Sequence, residues 1–316
     1  MKTLFVLSGG VGNEREVSLL SGRNVLEVLR NEGVMCEEVV IGKDKSFTHK
    51  GKVMTEEEGL DFLKSENALV FQVIHGTYGE DGELIGKLED RGVSYIGSSK
   101  KVLALTINKY ETENVLREHG VLTTESALVK QKSDVPTGVS FPCIMKPNKE
   151  GSSVGVMKAR NQTELEEAVL VLLQDHNEVL VQKCVMGREF SCGVIEIDGV
   201  VRALPVTEVI LTKGDMFDYE AKYTVNGCRE VTPAVIDEVL AQKIQEVALT
   251  VHTVTGCKDI SRTDMIVQDD GKVGEVVVLE INTVPGMTKT SFVPEEMRVA
   301  GYTFSQFIKG MMKKYS

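Results

Sequence analysis

Two apolar periods alternate through the first third of the chain and predict strands alternating with helices. Leu4–Leu7 is a short apolar run of strand type. Glu16–Arg30 carries Val17, Leu20, Val25, Leu26 and Leu29 at helical spacing. Val39–Ile41 and Ala68–Ile74 read as buried strands, Leu84–Arg91 as a helix and Ser94–Ile96 as a further strand. Such alternation predicts a parallel sheet with helices on its faces. The texture changes after Gly97. Lys101–His119 reads as one long helix closed by Gly120, a C-cap signal. Phe141–Lys146, Val156–Lys158 and Val179–Lys183 read as strands and Glu164–Leu173 as a helix, a mixture of α+β type. Thr263–Val267 and Val276–Asn282 flank the polar turn Asp269-Asp270-Gly271 and predict an antiparallel hairpin. The chain is therefore read as an N-terminal α/β domain over residues 1–97, a central α+β domain over 98–183 and a C-terminal domain over 184–316.

Length agrees with this division, since 316 residues make two or three domains at roughly 100–200 residues each. At 42% hydrophobic and 26% charged, the chain has a globular composition and is not dominated by disorder. Its formal charge of −11 argues against nucleic acid and anionic membranes as partners. No apolar run approaches the roughly 18–20 residues of a membrane span, and the first apolar stretch is too short for a signal peptide. A cytoplasmic protein is expected. The six cysteines (36, 143, 184, 192, 228 and 257) show no metal-type spacing and read as reduced thiols.

Four clusters offer chemistry. Gly10-Val11-Gly12 follows the first strand, but Arg15 stands where a dinucleotide-binding loop needs its third glycine, which argues against NAD. Glu14 enters the next helix in that loop. It reads equally as a helix-start acid complementing the dipole and as a fixed anion for a substrate ammonium. His75-Gly76-Thr77-Tyr78-Gly79-Glu80-Asp81-Gly82 ends a buried strand, where open α/β sheets bind ligands. Ordinary turn chemistry is the simpler reading of that string taken alone. Lys146 ends a strand before a loop of Gly151, Ser152, Ser153 and Gly155. There small residues admit phosphate oxygens and the lysine supplies counter-charge.

The hairpin is the most informative cluster. Residues two apart on a strand share a face, so Arg262 pairs with Asp264, and Glu280 with Asn282. A turn centred on residue 272 or 273 sets Asp264 opposite Glu280 or Asn282. Hard oxygen donors gathered in this way suit Mg²⁺ bridged to phosphates. Gly286 follows in a Pro-Gly turn that presents its N–H to the same cleft.

Together these strings resemble the ATP-grasp superfamily and, within it, the D-alanine–D-alanine ligase family. The resemblance rests on Gly9-Gly10 with Glu14-Arg15-Glu16-Val17-Ser18, and on His75-Gly76 with Gly79-Glu80-Asp81-Gly82. It rests also on Glu150-Gly151-Ser152-Ser153-Val154-Gly155, on Tyr219-Glu220-Ala221-Lys222-Tyr223 and on Glu280-Ile281-Asn282-Thr283 with Pro285-Gly286-Met287-Thr288. These strings run in order from residue 4 to about residue 311. The resemblance implies a three-domain ATP-grasp fold that joins two D-alanines at the expense of ATP, through a D-alanyl phosphate, for peptidoglycan synthesis. It implies that Glu14 holds the first ammonium and that His75 lies near the first carboxylate. Lys109, Lys146 and Lys222 would grip phosphates, and Gln182, Lys183, Val185 and Glu189 would line the nucleotide site. Asp264, Glu280 and Asn282 would hold two Mg²⁺ ions, or Mn²⁺ in their place. Arg262 and the Gly286 N–H would form the oxyanion site, and Ser291 with the Phe292 backbone would receive the second carboxylate. Ser152 and Tyr223 would lock a loop over the site toward Glu14. A homodimer is implied as well.

The sequence departs from the family pattern in three places. Gln182 stands where a glutamate is usual near the adenine, so Gln182→Glu is expected to tighten ATP binding through a stronger acceptor. Asn108-Lys109 replaces Asp-Lys, and residues 42–66 read as a trimmed part of the first domain. A D-lactate or D-serine ligase of the same fold, and a non-catalytic relative, are the alternative readings.

Overall fold

The computed structural model describes residues 2–151, 155–211, 228–268 and 274–316. Its first sheet has the order β4-β3-β2-β1-β5-β6. These strands are β1 (Thr3–Gly9), β2 (Cys36–Ile41), β3 (Phe47–His49), β4 (Lys52–Met54), β5 (Ala68–Gln72) and β6 (Ser94–Ile96). The β2-β1-β5-β6 part is parallel, as the apolar runs predicted. Strands β3 and β4 add an antiparallel edge. Residues 42–66 are therefore a hairpin followed by helix α2 (Glu56–Ser65), where the sequence suggested a trimmed connection. These strands carry one buried apolar residue each, too few to set them apart from a connection. Their anchors are the buried Phe47 and Met54. A Cβ at Gly59 of α2 would lie 2.2 Å from Phe47 Cγ, so the helix sits directly on that ring. Helix α2 is started by a capping box of Thr55 and Glu58, each side chain bonded to the other residue's backbone N–H. Helices α1 (Arg15–Asn31) and α3 (Glu83–Arg91) complete this layer.

The long helix expected over 101–119 is two helices, α4 (Lys100–Thr106) and α5 (Lys109–Glu118). Asn108 breaks it. Its side chain accepts from Glu111 N at 3.2 Å and so caps α5, the competition with backbone that disfavours Asn inside helices. The break brings Lys109 to the central sheet, where its backbone N–H donates to Asn148 O at 3.1 Å.

That second sheet is antiparallel, in the order β7-β10-β8-β9. It comprises β7 (Ser126–Val129), β8 (Cys143–Pro147), β9 (Met157–Ala159) and β10 (Val179–Lys183), with α6 (Gln162–Asp175) packed on it. The third sheet runs β14-β13-β11-β15-β16, with β12 beside β11. Its strands are β11 (Arg188–Ile197), β12 (Val200–Ala203), β13 (Thr207–Leu211), β14 (Cys228–Val231), β15 (Ile260–Val267) and β16 (Val276–Asn282). Helix α7 (Glu238–Val254) covers one face. Helices α8 (Phe292–Val299) and α9 (Phe304–Lys314) bury Val293, Met297, Phe307, Ile308 and Met311 in a core shared with Leu4, Val6 and Leu26. The chain end thus locks the first and third sheets together. Asp259, wholly buried, fixes the same junction. It accepts from Gly97 N, Lys314 Nζ and Tyr315 OH, each at 2.7 Å. All six cysteines are free thiols. Among the described residues, no helix is long and apolar enough to cross a membrane.

Candidate active site

The hairpin register sets the geometry of the site. Asp264 pairs with Glu280 and Arg262 with Asn282 across β15 and β16, as a turn centred on residue 272 requires. The register then shifts, because Met265 pairs with Val278 and Leu279 is left as an extra residue. Arg262 grips Asp264 with two hydrogen bonds, Nε to Oδ1 at 2.9 Å and Nη2 to Oδ2 at 2.7 Å. Ser191 of β11 donates to Oδ1 as well, at 2.7 Å. Burial works against the Arg262 charge, but the facing Asp264 outweighs it and holds the guanidinium firmly protonated. Lys109 Nζ donates to Glu150 O at 2.5 Å and lies 3.6 Å from Glu280 Oε2.

Two cavities meet on this wall. One, of ≈ 360 Å³, lies between the second and third sheets and is lined by Lys146, Gln182, Lys183, Val185, Glu189 and Asp264. The other, of ≈ 390 Å³, opens toward the first sheet and is lined by Glu14, His75, Arg262, Asn282, Gly286, Ser291 and Phe292. Lys109, Glu150, Gly151 and Glu280 line both. Every site residue expected from the sequence and lying among the described residues therefore faces one of two adjoining cavities. Ser152, Lys222 and Tyr223 lie outside the described residues, as do residues 269–273, where the sequence predicts the turn.

In the second cavity, Glu14 occupies the N-cap position of α1 but makes no side-chain cap bond. Its carboxylate lies between two glycines. A Cβ at Gly76 would stand 2.9 Å from Glu14 Oε2, and one at Gly151 would stand 2.8 Å from it. A side chain at either position would press on this carboxylate. His75 is buried, with Nδ1 3.1 Å from Val284 O and Nε2 3.3 Å from Ser21 Oγ. A carbonyl only accepts, so Nδ1 carries the proton toward Val284. Ser21 Oγ accepts from Met287 N at 3.2 Å and has its own proton to give Nε2. His75 thus ties β5, α1 and the 284–287 loop together, and both ring nitrogens have protein partners. Ser291 stands at the N-cap position of α8, and its Oγ accepts from Thr288 N at 3.0 Å. The Phe292 ring stacks against the Arg262 guanidinium at 5.4 Å.

In the first cavity, the amide nitrogen of Gln182 points away from the cavity that the residue lines. Its Nε2 donates to Glu113 Oε1 and, at 2.6 Å, to Thr124 Oγ1. Glu113, on α5, is 3% exposed and also accepts from Thr124 Oγ1 at 3.0 Å and from Ser126 Oγ. Arg117 Nη1 lies 3.6 Å from its other oxygen. The expectation that Gln182→Glu tightens ATP binding leaves this contact out of account. A carboxylate at position 182 would face the buried carboxylate of Glu113, and two such charges cannot both persist there without cost.

A family model described as the D-ala D-ala ligase C-terminus matches residues 104–313. A D-alanine–D-alanine ligase of Methylobacterium radiotolerans is 36% identical over 100% of this chain and 98% of its own. One from Fervidobacterium nodosum is 32% identical over 98% of both chains. The chain belongs to the D-alanine–D-alanine ligase family. Among solved structures, the VanG D-Ala:D-Ser ligase of Enterococcus faecalis superposes with a TM-score of 0.85 at 29% identity, covering 100% of this chain and 99% of its own. A D-alanine–D-alanine ligase of Bacillus anthracis gives 0.82 at 26%, covering 100% and 97%. The ATP-grasp fold expected from the motifs is thus the fold of this ligase.

The donor set fits a hard divalent cation in this ligase. A carboxylate offers about four lone-pair positions. Arg262 and Ser191 engage three on Asp264, leaving one on Oδ2. Asn282 Oδ1 accepts from Val284 N, at 3.0 Å, which leaves a lone pair for a cation. Among the described residues no three His, Cys, Asp or Glu side chains converge. Two facing carboxylates and an amide oxygen would therefore hold a cation jointly with ligand phosphates, the manner of Mg²⁺ rather than of an all-protein cage.

Three carboxylates at or just behind the site escaped the motif reading of this ligase. Glu113 was one. Glu296, wholly buried, accepts from Gly193 N at 2.7 Å and from Thr207 Oγ1 at 2.8 Å. Burial lifts its carboxyl to about 8 against the pull of those bonds and of Arg262. The third is Glu230 of β14, which lines the second cavity. For Glu113 and Glu296 a signal existed, a carboxylate on a helical stripe otherwise buried: Glu113 near Leu116, Glu296 between Val293 and Met297.

Proposed function

We propose that the protein ligates two molecules of D-alanine to D-alanyl-D-alanine, with ATP converted to ADP and phosphate, in peptidoglycan precursor synthesis. The observation that carries this reading is the shared wall. A basic and carboxylate-lined cavity suited to a nucleotide adjoins a cavity holding Glu14 and Arg262, and Lys109 and Glu280 line both.

Each residue then has a task. Lys109 and Lys146 neutralise phosphate oxygens while the carboxylate of the first D-alanine attacks the γ-phosphorus and ADP leaves. Glu14 holds the ammonium of that D-alanine through a charge-assisted bond. The amine of the second D-alanine attacks the acyl carbon of the resulting D-alanyl phosphate, and the oxyanion so formed is met by Arg262 and the Gly286 N–H. Phosphate leaves, and the amine loses its proton as the amide forms. The Ser291–Phe292 start of α8 receives the second carboxylate, because a helix N-terminus presents unpaired N–H groups. Bound Mg²⁺, held by Asp264, Glu280 and Asn282, would screen the charge between nucleotide and carboxylate. Ser152, Lys222 and Tyr223 are assigned to loop closure and phosphate contact by the family resemblance alone. The same reading includes a cytoplasmic homodimer, and the division into domains at 1–97, 98–183 and 184–316.

A second reading, D-serine as the acceptor, draws support from the likeness to the D-Ala:D-Ser ligase. Product analysis after incubation with ATP, Mg²⁺ and a panel of D-alanine, D-serine and D-lactate tests both. D-alanyl-D-alanine as the main product is expected. Phosphate release without a dipeptide would overturn the ligase reading.

A further inference from the structure

The amide of Gln182 can turn either its NH₂ or its carbonyl oxygen to the nucleotide cavity, and these ends are chemical opposites. Two neighbours determine which one it shows. Glu113 Oε1 and Thr124 Oγ1 both take hydrogen bonds from Nε2. Thr124 Oγ1 in turn gives its proton to Glu113 Oε1 at 3.0 Å. Glu113 Oε1 thus accepts from both neighbours, so the end of Gln182 facing it is the NH₂. Both amide hydrogens are thereby engaged, and the carbonyl oxygen is the end left for the cavity that Gln182 lines. Glu113 is itself held by Ser126 Oγ and lies near Arg117, so the arrangement is anchored on the far side of the cavity wall.

We propose that Glu113, seconded by Thr124, is a positioning residue that locks Gln182 as a hydrogen-bond acceptor and so selects a 6-amino purine over a 6-oxo purine. The proposal rests on the reading of this cavity as the ATP site. An exocyclic amine donates to the fixed carbonyl. A 6-oxo base places its own carbonyl against it, and neither oxygen has a proton to share. Gln182 then serves as the acceptor that a carboxylate would otherwise be, without a second buried charge beside Glu113.

Inosine triphosphate tests this directly, because it carries a carbonyl at the position where ATP carries the amine. Initial rates with each nucleotide are compared in the wild type, in Glu113→Gln, and in the exchanged pair Glu113→Gln/Gln182→Glu. The wild type should favour ATP by about tenfold or more in kcat/KM. In Glu113→Gln the neighbour can also donate, Gln182 is free to turn over, and the preference should collapse mainly through a raised KM for ATP. The KM for inosine triphosphate should stay level or fall. The exchanged pair restores one donor and one acceptor with roles reversed and should recover the ATP preference. A purely structural Glu113 would instead shift kcat alike for both nucleotides and gain nothing from the exchange. Should Glu113→Gln fail to fold, Thr124→Val removes one partner of the amide at nearly constant volume and should lower the preference by about threefold. An ATP-to-inosine triphosphate ratio unchanged in either variant overturns the proposal while leaving the ATP reading intact. Calorimetry showing that the wild type binds neither nucleotide overturns the ATP reading, and this proposal with it.

Discussion

The two cavities share a wall but are assembled in different ways. The nucleotide-type cavity takes its charged groups largely from strands of two antiparallel sheets, where pairing register fixes each side chain against the next. The second cavity is a meeting of segment ends. Glu14 comes from the start of α1, His75 from the end of β5, Gly286 from a turn and Ser291 from the start of α8. A register holds its residues in place through many ladder bonds, whereas a meeting of ends depends on how the first sheet docks against the third. Side chains in the first should therefore tolerate loss of one neighbour, and those in the second should not.

The largest effect is expected on the wall common to both. Asp264→Asn and Glu280→Gln each remove one charge with little change of shape. Turnover should fall by roughly 10²–10³, the size seen when one preorganised transition-state contact is lost. Thermal melting should show the fold retained. Because the wall serves both cavities, ADP formation and dipeptide formation should fall together. Near-normal turnover with unchanged Mg²⁺ dependence would mean the cation is held elsewhere.

Glu14→Gln separates the cavities. It removes the anion from the second and leaves the first untouched. A charge-assisted bond contributes about 1.5–3 kcal/mol, so the KM for the first D-alanine should rise about 10- to 150-fold. The KM for ATP should hold within about twofold of wild type, by contrast, since Glu14 does not line the nucleotide cavity. Equal losses for both substrates would show that the variant disturbs docking of the sheets and not the ammonium contact.

Gln182→Glu probes the first cavity alone. With Glu113 still present, two carboxylates share a buried site and one must take a proton. ATP binding should weaken by about tenfold near neutral pH, equivalent to roughly 1.4 kcal/mol, and recover as the pH is lowered. Titration calorimetry at two pH values checks this. Tighter binding at neutral pH would show that the new carboxylate turns away from Glu113 when nucleotide enters.

The same contrast explains what is legible in the sequence. Strand residues two apart, with a turn signal at the right centre, suffice to set Asp264 opposite Glu280 or Asn282. The extra residue at Leu279 is not legible, since a bulge leaves the apolar run Val276–Leu279 unbroken. The break at Asn108 carries a cap signal, but the apolar period continues across it and masks it. The edge strands β3 and β4 each bury a single apolar residue, Phe47 and Met54, and so show no apolar run. Glu296 lies between Val293 and Met297, where a lone carboxylate among apolar residues is the whole signal, and Glu113 shares its buried stripe with Lys109, Thr112 and Leu116, which hides it further. Their partners at positions 182, 193 and 207 are far away in sequence, so only tertiary contact discloses their roles.

The smallest effect distinguishes the two regions by the sign of their response to pH. Near the first cavity, Glu178 accepts from the buried Asn148 and pairs with Lys130 and Lys149. The Asn148 bond and then the lysines draw its carboxyl down to about 2. A depressed acid stabilises the fold above its unfolded value, near 4.5, and loses that contribution as the pH falls toward 2. Beneath the Arg262–Asp264 pair, Glu296 is raised to about 8, with burial the leading cause. Between about 4.5 and 8 the native state keeps a proton that the unfolded chain has released, so stability falls as the pH rises through that window. Urea unfolding at pH 5 and pH 8.5 should then give a lower midpoint at the higher pH. Glu296→Gln, which cannot ionise, should flatten the difference, whereas Glu178→Gln should leave it unchanged and alter only the response below pH 4.5. A pH slope that persists in Glu296→Gln would place the titrating group elsewhere and leave Glu296 ionised beside the site at neutral pH. In that case Arg262 would be shared between two carboxylates, and its capacity to meet an oxyanion would be weaker than the two-bond pair with Asp264 alone suggests.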